Sequence, residues 1–182
     1  FFLGGDVNGR PSTQVDVVDL NRDQLRAAGQ LDGPRSDAAA VADVDRIVLF
    51  GGRSGTSSAA LSDATVFVPA RGRTLSERIP LVEARRQPAA ARTAADAFVV
   101  VGGTGPGAAP RAVRSVLVQS ESEVPLGTSA PFTALSTAAA QPELFALGDG
   151  SFFVLDENAF WLRTLPRAAS RLVLPDTQRR WG

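Results

Sequence analysis

Short apolar runs that break off at glycine punctuate this chain. They are Phe1-Phe2-Leu3-Gly4-Gly5, Ile47-Val48-Leu49-Phe50-Gly51-Gly52, Phe98-Val99-Val100-Val101-Gly102-Gly103 and Leu144-Phe145-Ala146-Leu147-Gly148-Asp149-Gly150. Each is too short for a helix and rich in β-branched or aromatic side chains, which predicts a strand buried on both faces. Glycine at the end of such a strand predicts backbone with positive φ, or a close approach between chain segments.

The pattern returns. The first glycines stand at 4, 51, 102 and 148, at intervals of 47, 51 and 46 residues. A period of about 40–50 residues is the mark of a repeated supersecondary unit, four strands per unit in propeller blades. The rest of the unit recurs with it. Second strands are predicted over 15–20, 64–68, 113–118 and 152–155, and third strands over 25–31, 75–81, 122–126 and 160–165. A small-residue strand then leads to the next glycine run. Ala38–Ala42 and Ala89–Ala95 are rich in alanine, but their place just before a buried strand predicts an innermost strand rather than a helix. The units fall near 1–46, 47–97, 98–142 and 143–182.

Arginine follows the same rhythm. Arg35 precedes Gly51 by 16 residues and Arg86 precedes Gly102 by 16; Arg167 stands after Pro166 as Arg35 stands after Pro34. Recurrence at one position predicts that Arg35, Arg86 and Arg167 support the fold by bonding carbonyls of the neighbouring unit. The sharper alternative is a ring of arginines that binds an anion. Trp161 and Leu75 each lie five residues before a proline, as at an outer strand edge.

These residues resemble the kelch repeat family: the doublets Gly4-Gly5, Gly51-Gly52 and Gly102-Gly103, the Pro-Arg steps at 34–35 and 166–167, and Trp161 followed by Leu165-Pro166. The resemblance covers nearly the whole chain. It implies an all-β fold, a β-propeller of four-stranded antiparallel blades. The chain departs from the family in three ways: Gly148-Asp149-Gly150 replaces the fourth doublet, only one unit has the tryptophan, and the family's tyrosine is missing. Adding 16 to Arg167 gives position 183, one past Gly182. That spacing, and the lack of an initiator methionine, predict a window from a larger propeller. Closure within four units, with residues 170–174 beside 1–3, is the alternative.

Composition narrows the chemistry. Basic and acidic residues balance at 19 each, and every basic residue is arginine. A dispersed, neutral charge gives little pull toward nucleic acid or anionic lipid. With no Cys and no His, thiolate or imidazole zinc sites, Ser–His–Asp and Cys–His arrangements, and disulfides are all excluded. No cofactor and no metal is expected, and no apolar run is long enough to cross a bilayer.

Function is therefore sought in the loops, where propellers commonly bind. The longest are 6–13, 53–62 and 104–112, and Arg10, Arg53 and Arg111 are the candidate contact residues; solvated loop arginines are the plainer reading. Asp6 and Asn8 suit an Asx turn with Gly9. The glycines at 103–107 suggest a phosphate loop, but Pro106 and Pro110 oppose the helix it needs. Asp16 and Asp19 flank a strand, and the alternation of Asp43 with Asp45 lacks the rest of a calcium loop. The expected function is a non-catalytic scaffold that holds another protein, or further blades of the same assembly. A carbohydrate or small-ligand propeller, lectin-like or an Arg/Asp-based lyase or epimerase, is the alternative. An extracellular or cell-envelope location is expected.

Overall fold

A computed structural model describes residues 1–55, 59–76, 78–94, 97–105, 114–117, 143–147, 151–156, 159–164 and 170–172. Among them the fold is all-β, with no α-helix and one 3-10 turn at Pro69–Arg71.

The strands follow the repeat. In the first unit they are β1 (Phe2–Leu3), β2 (Asp6–Val7), β3 (Arg10–Asp19) and β4 (Gln24–Arg35). The second holds β5 (Ala39–Asp43), β6 (Arg46–Phe50), β7 (Leu61–Val68), β8 (Arg73–Thr74) and β9 (Ile79–Arg85). The third holds β10 (Ala89–Ala94), β11 (Ala97–Val101) and β12 (Arg114–Leu117). The fourth holds β13 (Glu143–Ala146), β14 (Ser151–Asp156), β15 (Ala159–Thr164) and β16 (Ser170–Leu172). Within each unit the ladder is an antiparallel meander, as in β5–β6–β7–β9 and β13–β14–β15–β16.

Three differences from the sequence reading stand out. The third strand expected over 75–81 is split: β8 ends at Thr74 and β9 starts at Ile79. The short β8 pairs β7 and also meets β4 in parallel at Gln30↔Arg73, so the first two units share one curled nine-stranded sheet. Gly29 permits this contact, because a Cβ there would lie 2.0 Å from the Gly72 carbonyl oxygen. Thirdly, Ser170–Leu172 pairs β15 in its own unit and not β1, so it is the edge strand of a meander. The third strand expected over 122–126 lies outside the described residues.

The alanine-rich segments are strands, as β5 and β10. β5 pairs β6 from Ala39↔Phe50 to Asp43↔Arg46, and β10 pairs β11 from Ala89↔Val101 to Ala94↔Ala97. The two also pack beside each other, where small side chains let backbones approach.

The core explains why β6 is apolar without alternation. Ile47 and Leu49 point to one face, into a cluster with Val15, Leu31 and Phe67. Val48 and Phe50 point to the other, with Val66, Ile79, Leu81, Phe98 and Val100. So the second unit is covered on one face by the first and on the other by the third. Phe50 and Phe98 meet across that second contact with ring centroids 5.6 Å apart. Each large side chain so buried is worth about 1.5–3 kcal/mol.

Candidate binding face

The glycine doublets lie where strand ends meet, and each glycine of a pair has its own reason. Gly51 (φ +61°) bonds from its N–H to the Asp63 carbonyl, and a Cβ there would lie 2.4 Å from the Arg85 carbonyl oxygen. That carbonyl ends β9 of the same unit and accepts the Gly52 N–H at 2.7 Å. Gly52 (φ +99°) sits against the segment arriving from the first unit, with the Ser36 carbonyl oxygen 2.5 Å from a would-be Cβ. Gly4 repeats the first role against Arg35, and Gly103 the second against Arg86. Gly5 bonds to the Arg35 carbonyl, as Gly52 does to that of Arg85. Gly102 has φ +58°; Gly148 lies outside the described residues.

Through this edge runs an arginine clasp. Arg35 is 3% exposed. Its Nη1 donates to the Gly51 carbonyl at 2.5 Å, and its Nη2 to the Asp63 carboxylate at 2.9 Å. The counterpart in the second unit is Arg85, not Arg86. Arg85 is 1% exposed, and its Nη1 donates to the Gly102 carbonyl at 2.7 Å. The interval is 16 residues from Arg35 but 17 from Arg85. The extra residue is a bulge in β10, where the register slips between Arg92 and Ala94. Arg86 takes the place of Ser36 instead: Ser36 bridges Arg53 as Arg86 bridges Thr104.

Charged side chains link the units along the same edge. Arg53 Nε donates to Asp37 at 3.0 Å, its Nη1 to the Gly55 carbonyl at 3.2 Å, and its Nη2 to Asp6. Arg86 Nε donates to the same Asp37 carboxylate at 2.6 Å. The chain Asp6–Arg53–Asp37–Arg86 thus crosses from the first unit to the segment leading into the third. Asp37 itself has φ 55°, as does its counterpart Gln87 at 54°, whose N–H donates to the Asp37 carbonyl. Burial works against the Arg53 charge, but the Asp37 and Asp6 carboxylates outweigh it and hold the guanidinium more firmly protonated than usual.

These contacts revise the candidate roles. Arg53 is not a free loop cation; its side chain is 12% exposed and held by two carboxylates. The Asp6 carboxylate receives that guanidinium, while Asn8 and Gly9, both at positive φ, make the two-residue turn between β2 and β3. An anion-binding ring is not built from Arg35 and Arg86, because carbonyls and carboxylates already occupy both. Arg10 is exposed where β3 leaves the hairpin, opposite Val7. Trp161 stands in β15 opposite Val154 and Arg171. Arg111 and Arg167 lie outside the described residues, as does the glycine loop past Gly105.

Asp16, Asp19, Asp32, Asp43 and Asp63 are also held by partners. Asp63 also accepts Arg78 Nη1 at 2.8 Å, and Arg78 reaches Asp32 at 2.9 Å. The Asp63 hydrogen bond, against the cost of burial, and the charges of Asp63 and Asp32 raise the Arg78 pKa. Asp43 faces Arg46 at 3.0 Å and Arg92 at 3.1 Å. Burial opposes its charge; the Val44 N–H, the Arg46 hydrogen bond and both arginine charges together hold the carboxyl below its ordinary range. A carboxylate bracketed by two cations does not suit calcium, so Asp43 and Asp45 are not a calcium loop. Asp16 accepts the Gln14 amide, and Asp19 caps the turn at Asn21 and Arg22. Among the described residues no group of three or more acidic, His or Cys side chains could hold a metal ion, and no helix is long and apolar enough to cross a membrane.

Sequence spacing missed Asp37, Asp63 and Arg85. For Arg85 the signal was present as the Arg85-Arg86 pair, with only the bulge hiding which one clasps. No protein-family model and no curated protein matches the chain.

Proposed function

We propose that the chain is a kelch-like β-propeller region that serves as a non-catalytic interaction scaffold and holds a partner protein at its loop edge. The observation that carries the reading is the repeated junction. Antiparallel meanders of the first three units bury apolar side chains against one another, and at the two described junctions a buried arginine from one unit bonds the glycine carbonyl of the next. Stacked repeats with equivalent interfaces suit a rigid platform whose loops are free to vary.

Among the described residues, the ionisable groups with shifted pKa values do not suit acid–base chemistry. Asp43 is held ionised, and Arg53 and Arg78 are held protonated. A general acid or base works best with a pKa near the operating pH. Arg10 and Val7, the latter 57% exposed, project from the hairpin beside the Asp6–Arg53 pair and form the contact point.

The test is affinity capture on the full chain, read by mass spectrometry, in wild type, Arg10→Glu with Val7→Asp, and Leu20→Ser on the distant β3–β4 turn. A partner lost only in the loop-edge variant is expected. Identical capture by all three proteins overturns the assignment of the face, and turnover of a substrate by the chain overturns the non-catalytic reading.

A further inference from the structure

An asparagine side chain can lose its amide to its own main chain, when the backbone nitrogen of the next residue attacks the side-chain carbonyl carbon. The attack is favoured by a following residue without a Cβ, by an N–H not already engaged, and by an amide that nothing else holds. Among the described residues there are two asparagines, Asn8 before Gly9 and Asn21 before Arg22.

The two differ on each count. Asn8 and Gly9 form the turn between β2 and β3, at φ 52° and 76°. Among the described residues, neither the Gly9 N–H nor the Asn8 amide makes a hydrogen bond. A Cβ on Gly9 would meet nothing within 4 Å, so nothing crowds the attacking residue. At Asn21 the attacking nitrogen is occupied: the Arg22 N–H donates to the Asp19 carbonyl at 3.2 Å and to its carboxylate at 3.3 Å. Asp32-Gly33 has the glycine, but Arg78 fixes the Asp32 carboxylate at 2.9 Å.

The arm that carries Asn8 is short. β2 has two residues, which pair as Asp6↔Pro11 and Val7↔Arg10. A two-stranded arm of that length has little stability of its own, so the turn opens locally to the geometry that ring closure needs. Its fastener is the ion pair between Asp6 and Arg53.

We propose that Asn8-Gly9 is a site of spontaneous deamidation in the folded chain, and that its conversion to isoaspartate unfastens Asp6 from Arg53. The Gly9 nitrogen gives up its proton and bonds the Asn8 Cγ. The Cγ–Nδ2 bond breaks, and ammonia leaves with a proton. Water then opens the succinimide ring at either carbonyl, and opening at the main-chain carbonyl leaves isoaspartate. No atom changes oxidation state. Isoaspartate routes the main chain through the former side chain and lengthens the turn by a methylene. A tight two-residue turn sets the register of the strands it joins, so the longer one no longer holds Val7 opposite Arg10. Asp6 then leaves Arg53, which keeps Asp37. The chemistry does not depend on what the loop edge binds.

The full chain is incubated in mildly alkaline buffer, and its peptides are mapped by mass spectrometry with a fragmentation that separates aspartate from isoaspartate. Isoaspartate is expected to accumulate at position 8 while Asn21 stays intact, and Asn8→Gln removes the product. The converted protein, more acidic than the parent, is isolated by anion exchange. Asp6→Asn is expected to lower the melting temperature of the unconverted chain and to leave that of the converted chain unchanged. An intact Asn8 in the folded chain, or equal conversion at Asn8 and Asn21, overturns the site. Converted protein in which Asp6→Asn still lowers the melting temperature by the full amount overturns the unfastening.

Discussion

Replacing Arg35 by methionine tests the clasp directly, because the stem is kept and only the guanidinium is lost. Three hydrogen bonds go with it: to the Gly51 carbonyl at 2.5 Å, the Asp63 carbonyl at 3.2 Å and the Asp63 carboxylate at 2.9 Å. Breaking a buried ion pair by removing one partner costs about 3–5 kcal/mol. Asp63 is 15% exposed and keeps Arg78, so its carboxylate is not stranded. That places the loss near the lower end, about 3 kcal/mol. The control is Arg78→Met. Arg78 touches the same carboxylate but is 46% exposed, and exposed pairs are worth about 0–1 kcal/mol. Urea unfolding of both variants reads the difference. With a slope of about 2 kcal/mol/M, Arg35→Met moves the midpoint down by roughly 1.5 M and Arg78→Met by a few tenths. Midpoints that agree within about 0.3 M would refute the claim that burial, rather than the shared carboxylate, makes Arg35 important.

Three more outcomes follow from the same geometry. Gly5→Ala and Gly52→Ala carry a similar backbone penalty, at φ +90° and +99°, but only Gly52 faces a carbonyl oxygen at 2.5 Å, so it is expected to lose at least about 1 kcal/mol more on thermal unfolding; equal losses would count against the close approach. Asp43 has a depressed folded pKa, so its stabilisation is present above the unfolded value of about 3.9 and fades as pH falls through the folded one; the stability gap between wild type and Asp43→Asn should narrow below about pH 4 in urea titrations, and a constant gap from pH 6 to 2 contradicts the assignment. Asp37 holds both Arg53 and Arg86 whereas Asp6 holds Arg53, so Asp37→Asn should lower the melting temperature more than Asp6→Asn; the reverse order would show that the chain of charges does not turn on Asp37.

The strands and their periodic return were legible in the residues themselves. An apolar run such as residues 47–50 has no polar face to offer water, so it must lie between two layers, and the glycines that follow admit backbone where no Cβ fits. Alanine-rich segments beside such runs read as strands for the same reason: small side chains suit a close inner approach. Which arginine makes the clasp was not legible. Arg85 and Arg86 are neighbours, and a one-residue bulge in β10 decides between them by shifting the register. Nor could spacing show that Arg53 is bound to Asp6 and Asp37, which lie 47 and 16 residues away. Local patterning reports how each segment meets water, and so it set the elements and their order. Ion pairs join residues that are distant in sequence, and only the packing of one unit on the next brought them within bonding reach.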